Sequence, residues 1–276
     1  MLKKLTGSTP SRRFATGRDF STLTRHKPVK ALSETLKKHA GRNAQGRVTA
    51  RGQGGQGKRF YRAIDFLRNK FSVPGKVVSI EYDPNRTSFI AQVTYQDGDK
   101  RYILAPEGLK VGDKIISAEK APLRPGNAMP LAAMPIGTVV HNVELQPGAG
   151  AKLARAAGTG VTLVAKEGGL AHLRMPSGEV RLVSELGLAS VGSLSNIDWK
   201  NMNFGKAGRK RHMGIRPSVR GVAQDPHSHP HGGGEGRSGI GMPGPKTRWG
   251  KPALGYKTRK HGKYSDKMII KKKGAK

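Results

Sequence analysis

The stretch 75–104, GKVVSIEYDPNRTSFIAQVTYQDGDKRYIL, decides the fold class. Val78, Ile80 and Tyr82 alternate with Val77, Ser79 and Glu81, which is the two-residue period of a half-buried strand. Asp83-Pro84-Asn85-Arg86 is a turn, because proline presets φ and asparagine tolerates the left-handed region. Phe89, Ala91, Val93 and Tyr95 then share one face of a second strand. Residues 96–99 turn the chain again, and Tyr102 and Leu104 open a third strand. Residues 108–116 (GLKVGDKII) supply one more. Short strands separated by turn signals predict a small antiparallel barrel or sandwich.

The same pattern restarts beyond a proline- and glycine-rich break at 122–135. It occupies 137–145, 161–165, 170–175 and 179–183. The reading is a mainly β protein with two small barrels in series. One short helix is expected inside them, near Ala151 to Ala157.

Charge divides the 276 residues more sharply than hydropathy does. Lys and Arg number 51 against 18 Asp and Glu, a formal net charge of +33. Residues 1–60 carry fifteen basic and two acidic residues, and residues 199–276 carry twenty and three. Between them, 61–125 hold eleven against eight and 126–198 hold five against five. The expected organisation is therefore a basic N-terminal extension (1–60), one barrel (61–125), a second barrel (126–198) and a basic C-terminal extension (199–276). The C-terminal arm contains Pro217, Pro226, Pro230, Pro243, Pro245 and Pro252, so no long helix or strand is expected there. Arms of this composition bury too little apolar surface to offset their conformational entropy, and they order on a partner. A polyanion is that partner, because such a surplus of charge repels itself in a free compact state.

Several classes fall away. The absence of cysteine excludes disulfide scaffolds, Cys-ligated zinc and thiol nucleophiles. No stretch is long and apolar enough for a membrane-spanning helix, and the start, MLKKLTGSTPSRRF, lacks the apolar region of a secretory signal. Gly52 to Gly57 matches G-x-G-x-x-G and nearly the phosphate loop, yet Arg59 stands where Mg²⁺ chemistry needs Ser or Thr, and no strand leads in. The bland reading is stronger. Arg47, Arg51, Lys58, Arg59 and Arg62 around permissive glycines suit a backbone pressed against phosphates.

His227, His229 and His231 alternate before Gly232, Gly233 and Gly234. In an extended chain alternate side chains point opposite ways, so one metal does not readily collect all three. His229 beside Ser228 and Asp225 has the residue types of an acyl-transfer site but no rigid scaffold to preorganise them. The expected role is imidazole and backbone contact to phosphate and ribose. Trp199, Trp249 and Tyr256 have rings able to stack on unpaired bases, local packing within the arm being the alternative, and Trp249 is the one expected at RNA. The runs 208–212 and 271–273 extend the basic surface.

At this point the chain resembles the universal large-subunit ribosomal protein L-two family, in its bacterial form. The resemblance rests on 41–43 (GRN) with 46–49 (GRVT), 58–62 (KRFYR) with 64–66 (IDF), 140–145 (VHNVEL), 155–158 (RAAG), 176–179 (PSGE) and, most specifically, 229–237 (HPHGGGEGR). It covers essentially the whole chain. Two places depart from the family pattern: the loop at 51–58 lacks the usual histidines, and Asp225-Pro226-His227-Ser228 replaces N-P-V-D. The second departure removes the acidic neighbour that would orient His229.

The resemblance implies an OB-fold barrel followed by an SH3-like barrel, with long irregular basic extensions. It implies primary rRNA binding during assembly, subunit joining, and support of tRNA binding and peptide-bond formation. The implied partners are large-subunit rRNA, small-subunit rRNA at the subunit interface and other ribosomal proteins, with no membrane and no homo-oligomer. The implied place is the cytoplasmic ribosome of a bacterium, with an organellar ribosome as the alternative. No enzyme activity and no cofactor are expected, Mg²⁺ entering only where rRNA shares it. The rival readings are a direct peptidyl transferase contribution from His229 and a nonspecific nucleic-acid-binding protein. The expected RNA contacts in the first part of the chain are Arg42, Asn43, Arg47, Arg51, Gly54, Gly55, Lys58, Arg59, Tyr61 and Arg62, then His141 and Arg155. In the C-terminal arm they are Lys206, Arg209, Lys210, Arg211, His229, His231, Gly232, Gly233, Gly234, Arg237, Trp249 and Lys257.

Overall fold

The computed structural model describes residues 2–24, 27–272 and 274, so Lys273 of the terminal lysine run lies outside it. The chain forms two compact units, one of residues 1–37, 58–207 and 267–276, the other of residues 38–57 and 208–266.

The first unit is mainly β, with one four-residue α-helix, α1 (Pro10–Arg13), near its start. Its leading segments contribute two short antiparallel pairs, β1 (Leu2–Lys4) with β2 (Thr16–Arg18) and β3 (Ser33–Thr35) with β4 (Phe60–Arg62). The OB-fold barrel follows, with β5 (Gly75–Glu81), β6 (Ile90–Tyr95), β7 (Lys100–Leu104) and β8 (Lys114–Ile115) in the spatial order β7-β6-β5-β8. Simple alternation along β5 fails at one place. The register slips between Val77 and Ser79, so Val77 and Ile80 both enter the core while Val78 is 45% exposed. An added residue in one strand turns its neighbours to the opposite face. The expected strand at 108–116 shrinks to β8, because Gly108 and Gly112 adopt φ of +80° and +97°.

Strand β6 is buried on both faces. Ala91, Val93 and Tyr95 pack into the barrel with Val77, Phe89, Ile103 and Ile115. Ile90 instead meets Tyr102, Leu104 and Leu194, with Val29, Leu32, Ile64 and Phe66 packed against them. The Tyr102 hydroxyl donates to Glu81 at 2.7 Å and accepts the Val29 N–H at 3.0 Å, which ties the leading segment to the barrel. Burial, aided by Glu81, pushes that hydroxyl up to about 12.

The SH3-like barrel uses β9 (Ala128–Pro130), β10 (Val139–His141), β11 (Val143–Glu144), β12 (Ala151–Leu153), β13 (Val161–Glu167), β14 (Leu170–Arg174), β15 (Val180–Ser184) and β16 (Leu188–Val191). A distant strand, β17 (Ile269–Lys271), pairs with β15 and extends the sheet to β17-β15-β14-β13-β10-β16-β9. Its core is Met129, Leu131, Met134, Val140, Val161, Leu163 and Leu173 with their neighbours.

The helix expected at 151–157 does not form. Ala151 to Leu153 pair instead with Val143 and Glu144, and Ala154 takes φ of +51°, which ends any helical run. The carboxylate of buried Glu144 fixes the corner, accepting N–H groups of Gly148 (3.1 Å), Gly150 (2.9 Å) and Leu188 (3.1 Å). Buried Arg68 ties the barrels, its Nε donating to the Ser117 hydroxyl at 3.1 Å and its Nη2 to the Gly126 carbonyl at 3.0 Å.

The second unit is built differently. Among its described residues no apolar side chain is buried, so no hydrophobic core holds it. Backbone hydrogen bonds and close glycine packing do so instead. Among its described residues the one α-helix is the short α2 (Ala207–His212), in keeping with the proline and glycine content.

Candidate nucleic-acid interface

The basic character concentrates in the second unit. It holds seventeen Lys and Arg against three acidic residues, Asp225, Glu235 and Asp266. Residues 41–50 fold back on themselves, with the Asn43 side-chain oxygen accepting the N–H groups of Gln45 (3.1 Å) and Arg47 (2.9 Å). This is the turn chemistry that asparagine supports. The following glycine-rich loop runs antiparallel to 212–216: Gly54 donates to the Gly214 carbonyl at 2.8 Å and Gly57 to that of His212 at 3.0 Å, while Arg216 donates to Gly52 at 2.9 Å. Two N–H groups of the loop are therefore engaged within the protein.

Residues 40–53, 216–229 and 248–249 enclose an open cleft of about 830 Å³. Arg42, Arg51, Arg216 and Arg248 line it, together with His229 and Trp249. Among the described residues none of these four guanidinium groups forms an ion pair, although Arg51 donates to the Gln224 side chain at 3.2 Å. The one acid in the lining, Asp225, accepts the His227 N–H at 2.9 Å. Trp249 is 71% exposed, with the Arg248 guanidinium 4.4 Å from its ring centroid. Unpaired guanidinium groups beside an open indole match a sugar-phosphate chain with unstacked bases.

The remaining expected contacts are spread over both units. Asn43, Arg47, Gly55, Lys210, Arg211, Arg237 and Lys257 are exposed in the second unit, and Gly54 and Arg209 are half-buried there. His231 and Gly232 are half-buried within the 224–232 turn, and Gly233 and Gly234 are exposed. A Cβ on Gly232 would fall 2.5 Å from the carbonyl oxygens of Gln224 and Asp225, so this glycine permits an approach of the chain to itself.

In the first unit Lys58 and Lys206 are exposed, and Arg59 donates to the Pro84 carbonyl at 3.1 Å. Arg62 is buried 3.5 Å from Asp83, whose other oxygen is 3.1 Å from Arg86. Tyr61 lies under Arg86, and exposed Arg155 stands 4.8 Å from the Phe66 centroid. His141 is interior, its Nδ1 2.8 Å from the Gly192 carbonyl oxygen. Burial lowers its pKa to about 4, the Arg68 charge acting in the same sense and the Gly192 contact against it, which leaves a neutral ring.

Sequence reasoning missed Arg216 and Arg248. For Arg248 a signal was present: Arg248 and Trp249 stand between Thr247 and Gly250, a turn that puts a cation and an indole at one tip.

Residues 29–117 match the family model for "Ribosomal Proteins L2, RNA binding N-terminal domain", and residues 124–250 match that for "Ribosomal Proteins L2, C-terminal domain". The chain belongs to the ribosomal protein L2 family. It is thus a structural, RNA-binding protein of the large ribosomal subunit. In this L2 chain the cleft draws on both matched regions, Arg42 and Arg51 coming from the first and Arg216, His229, Arg248 and Trp249 from the second. Among the described residues no helix is long and apolar enough to cross a membrane.

Proposed function

We infer that this chain anchors large-subunit rRNA in the cleft of its second unit, and that the anchored RNA supports subunit joining, tRNA binding and peptide-bond formation. The observation that carries this reading is the set of four guanidinium groups without carboxylate partners around exposed Trp249. Small-subunit rRNA and other ribosomal proteins are the further partners, in a bacterial or organellar ribosome. Folded large-subunit rRNA and duplex DNA are to be competed for the full chain at matched salt. Preference for the rRNA by tenfold or more is expected, and equal affinity would return the chain to nonspecific nucleic-acid binding.

A direct acid–base role for His229 finds less support. Its Nδ1 accepts the His231 N–H at 3.1 Å, and the carboxylate of Asp225 is engaged by His227. His229→Gln in purified, fully assembled ribosomes is expected to leave the rate of peptide-bond formation from pre-bound tRNAs within a few fold of wild type. A loss of about 10²–10⁴-fold, the usual contribution of general acid–base catalysis, would restore the catalytic reading.

A further inference from the structure

The histidines of the HPHGGG segment face the protein itself. The ring of His229 lies against Gly221, where a Cβ would fall 2.4 Å from Cε1. Its Nδ1 accepts the N–H of His231 at 3.1 Å. The ring of His231 stands edge-on to it, with centroids 4.8 Å apart and planes at 62°. His231 passes the connection on, because its Nε2 accepts the N–H of Lys246 at 3.0 Å. Lys246 bridges Pro252 across a tight hairpin closed by Thr247 N–H to Lys251 (2.7 Å), Gly250 N–H to Thr247 (2.9 Å) and Ala253 N–H to Pro245 (2.9 Å). Arg248 and Trp249 are the tip of that hairpin, and both line the cleft; His231 does not.

We propose that His229 and His231 form a two-imidazole latch that positions the Arg248–Trp249 tip at the RNA cleft. The proposal rests on the cleft reading and assigns His231 as a positioning residue. In a unit without a buried apolar side chain, a pair of planar rings accepting two N–H groups supplies rigidity that packing does not. The geometry also fixes both tautomers. A neutral ring that accepts at Nδ1 carries its proton on Nε2, as His229 must, and one that accepts at Nε2 carries it on Nδ1, as His231 must.

The two nitrogens of His231 are separable by substitution. Glutamine places its amide oxygen near the position of Nε2, whereas asparagine reaches only that of Nδ1. With Trp199→Phe in the background, Trp249 is the sole indole and its fluorescence quenching reports stacking on rRNA. His231→Gln is expected to bind large-subunit rRNA within threefold of the parent and to keep the quenching. His231→Asn is expected to lose about tenfold in affinity and most of the quenching. Equal behaviour of the two variants overturns the latch. Nitrogen-15 shifts of the imidazoles in the full chain, free and with rRNA, give a second measure. Nε2–H at His229 with Nδ1–H at His231 supports the latch, and any other pair of tautomers in both states overturns it. If the parent itself lacks salt-dependent rRNA binding, the cleft reading fails, and the tautomers in the free chain still decide the latch.

Discussion

Replacing Arg42, Arg51, Arg216 and Arg248 together by glutamine is expected to reduce rRNA affinity on the order of 10²–10³-fold at low salt and to flatten its salt dependence. Each cation that neutralises a phosphate contributes roughly 0.7–0.9 to the slope of log affinity against log salt, because condensed counterions are released. Loss of four such contacts lowers the slope by about 3. The expectation follows from the lack of carboxylate partners at these groups. Arg62, Arg86 and Arg101 sit on carboxylates, whereas the four cleft arginines have none among the described residues. Replacing exposed Lys152 and Arg174, in the charge-balanced second barrel, serves as the comparison and is expected to leave the slope unchanged. Filter binding across a salt series measures both. A slope that falls equally for the two sets would show that the cleft holds no privileged place.

The second large effect concerns pH and the SH3-like barrel. His141 is held neutral with a folded pKa of about 4, while an unfolded histidine titrates near its ordinary value of about 6.5. Above pH 6.5 neither state carries the proton, and the contribution of the buried ring is fully present. As pH falls from 6.5 toward 4 the unfolded chain takes up a proton that the fold rejects, so stability drops by about 1.4 kcal/mol per pH unit. The total is roughly 3 kcal/mol, and the loss ceases below the folded pKa. His141→Asn retains a donor for the Gly192 carbonyl and removes the titration. Urea unfolding of the full chain at pH 7.5, 6.5, 5.5 and 4.5 is expected to show a shallower decline for the variant between 6.5 and 4. Parallel curves would mean that His141 is not the group being titrated.

The barrels were legible in the sequence because their evidence is local. Period-two patterning, turn residues and a near-neutral charge balance all lie within 61–198, and the OB-fold and SH3-like barrels stand there. The misreadings came from interactions that local pattern does not contain. Val77 and Val78 satisfy either register equally well, and only the bulge decides which one enters the core. The window 151–157 is rich in helix-forming alanine. Glu144, several residues upstream, instead holds the preceding glycines in a strand-forming corner. Strand β17 was invisible for the same reason, since its partner β15 lies far upstream.

The interface was legible as composition and illegible as geometry. Arg62 and Arg51 look alike in the sequence, both flanking the glycine-rich loop. Asp83, found only through the fold, removes one from solvent, while the other lines the cleft. His229 and His231 announced themselves by spacing, yet what they accept, the N–H of His231 and that of Lys246, depends on a hairpin that the spacing does not reveal.

The pairing of β17 with β15 has a consequence for timing during synthesis. Strand β16 ends at Val191 and β17 begins at Ile269, with the C-terminal share of the second unit, 208–266, encoded between them. At about 5–20 residues per second, the six other strands of this sheet emerge roughly 4–16 s before their edge partner exists. During that interval β15 presents open backbone N–H and C=O groups, the kind of edge onto which a stray extended chain adds. The nascent protein thus passes through a window of vulnerability at β15 that closes only when Ile269 to Lys271 are laid down, after which β17 is the outermost strand of the sheet.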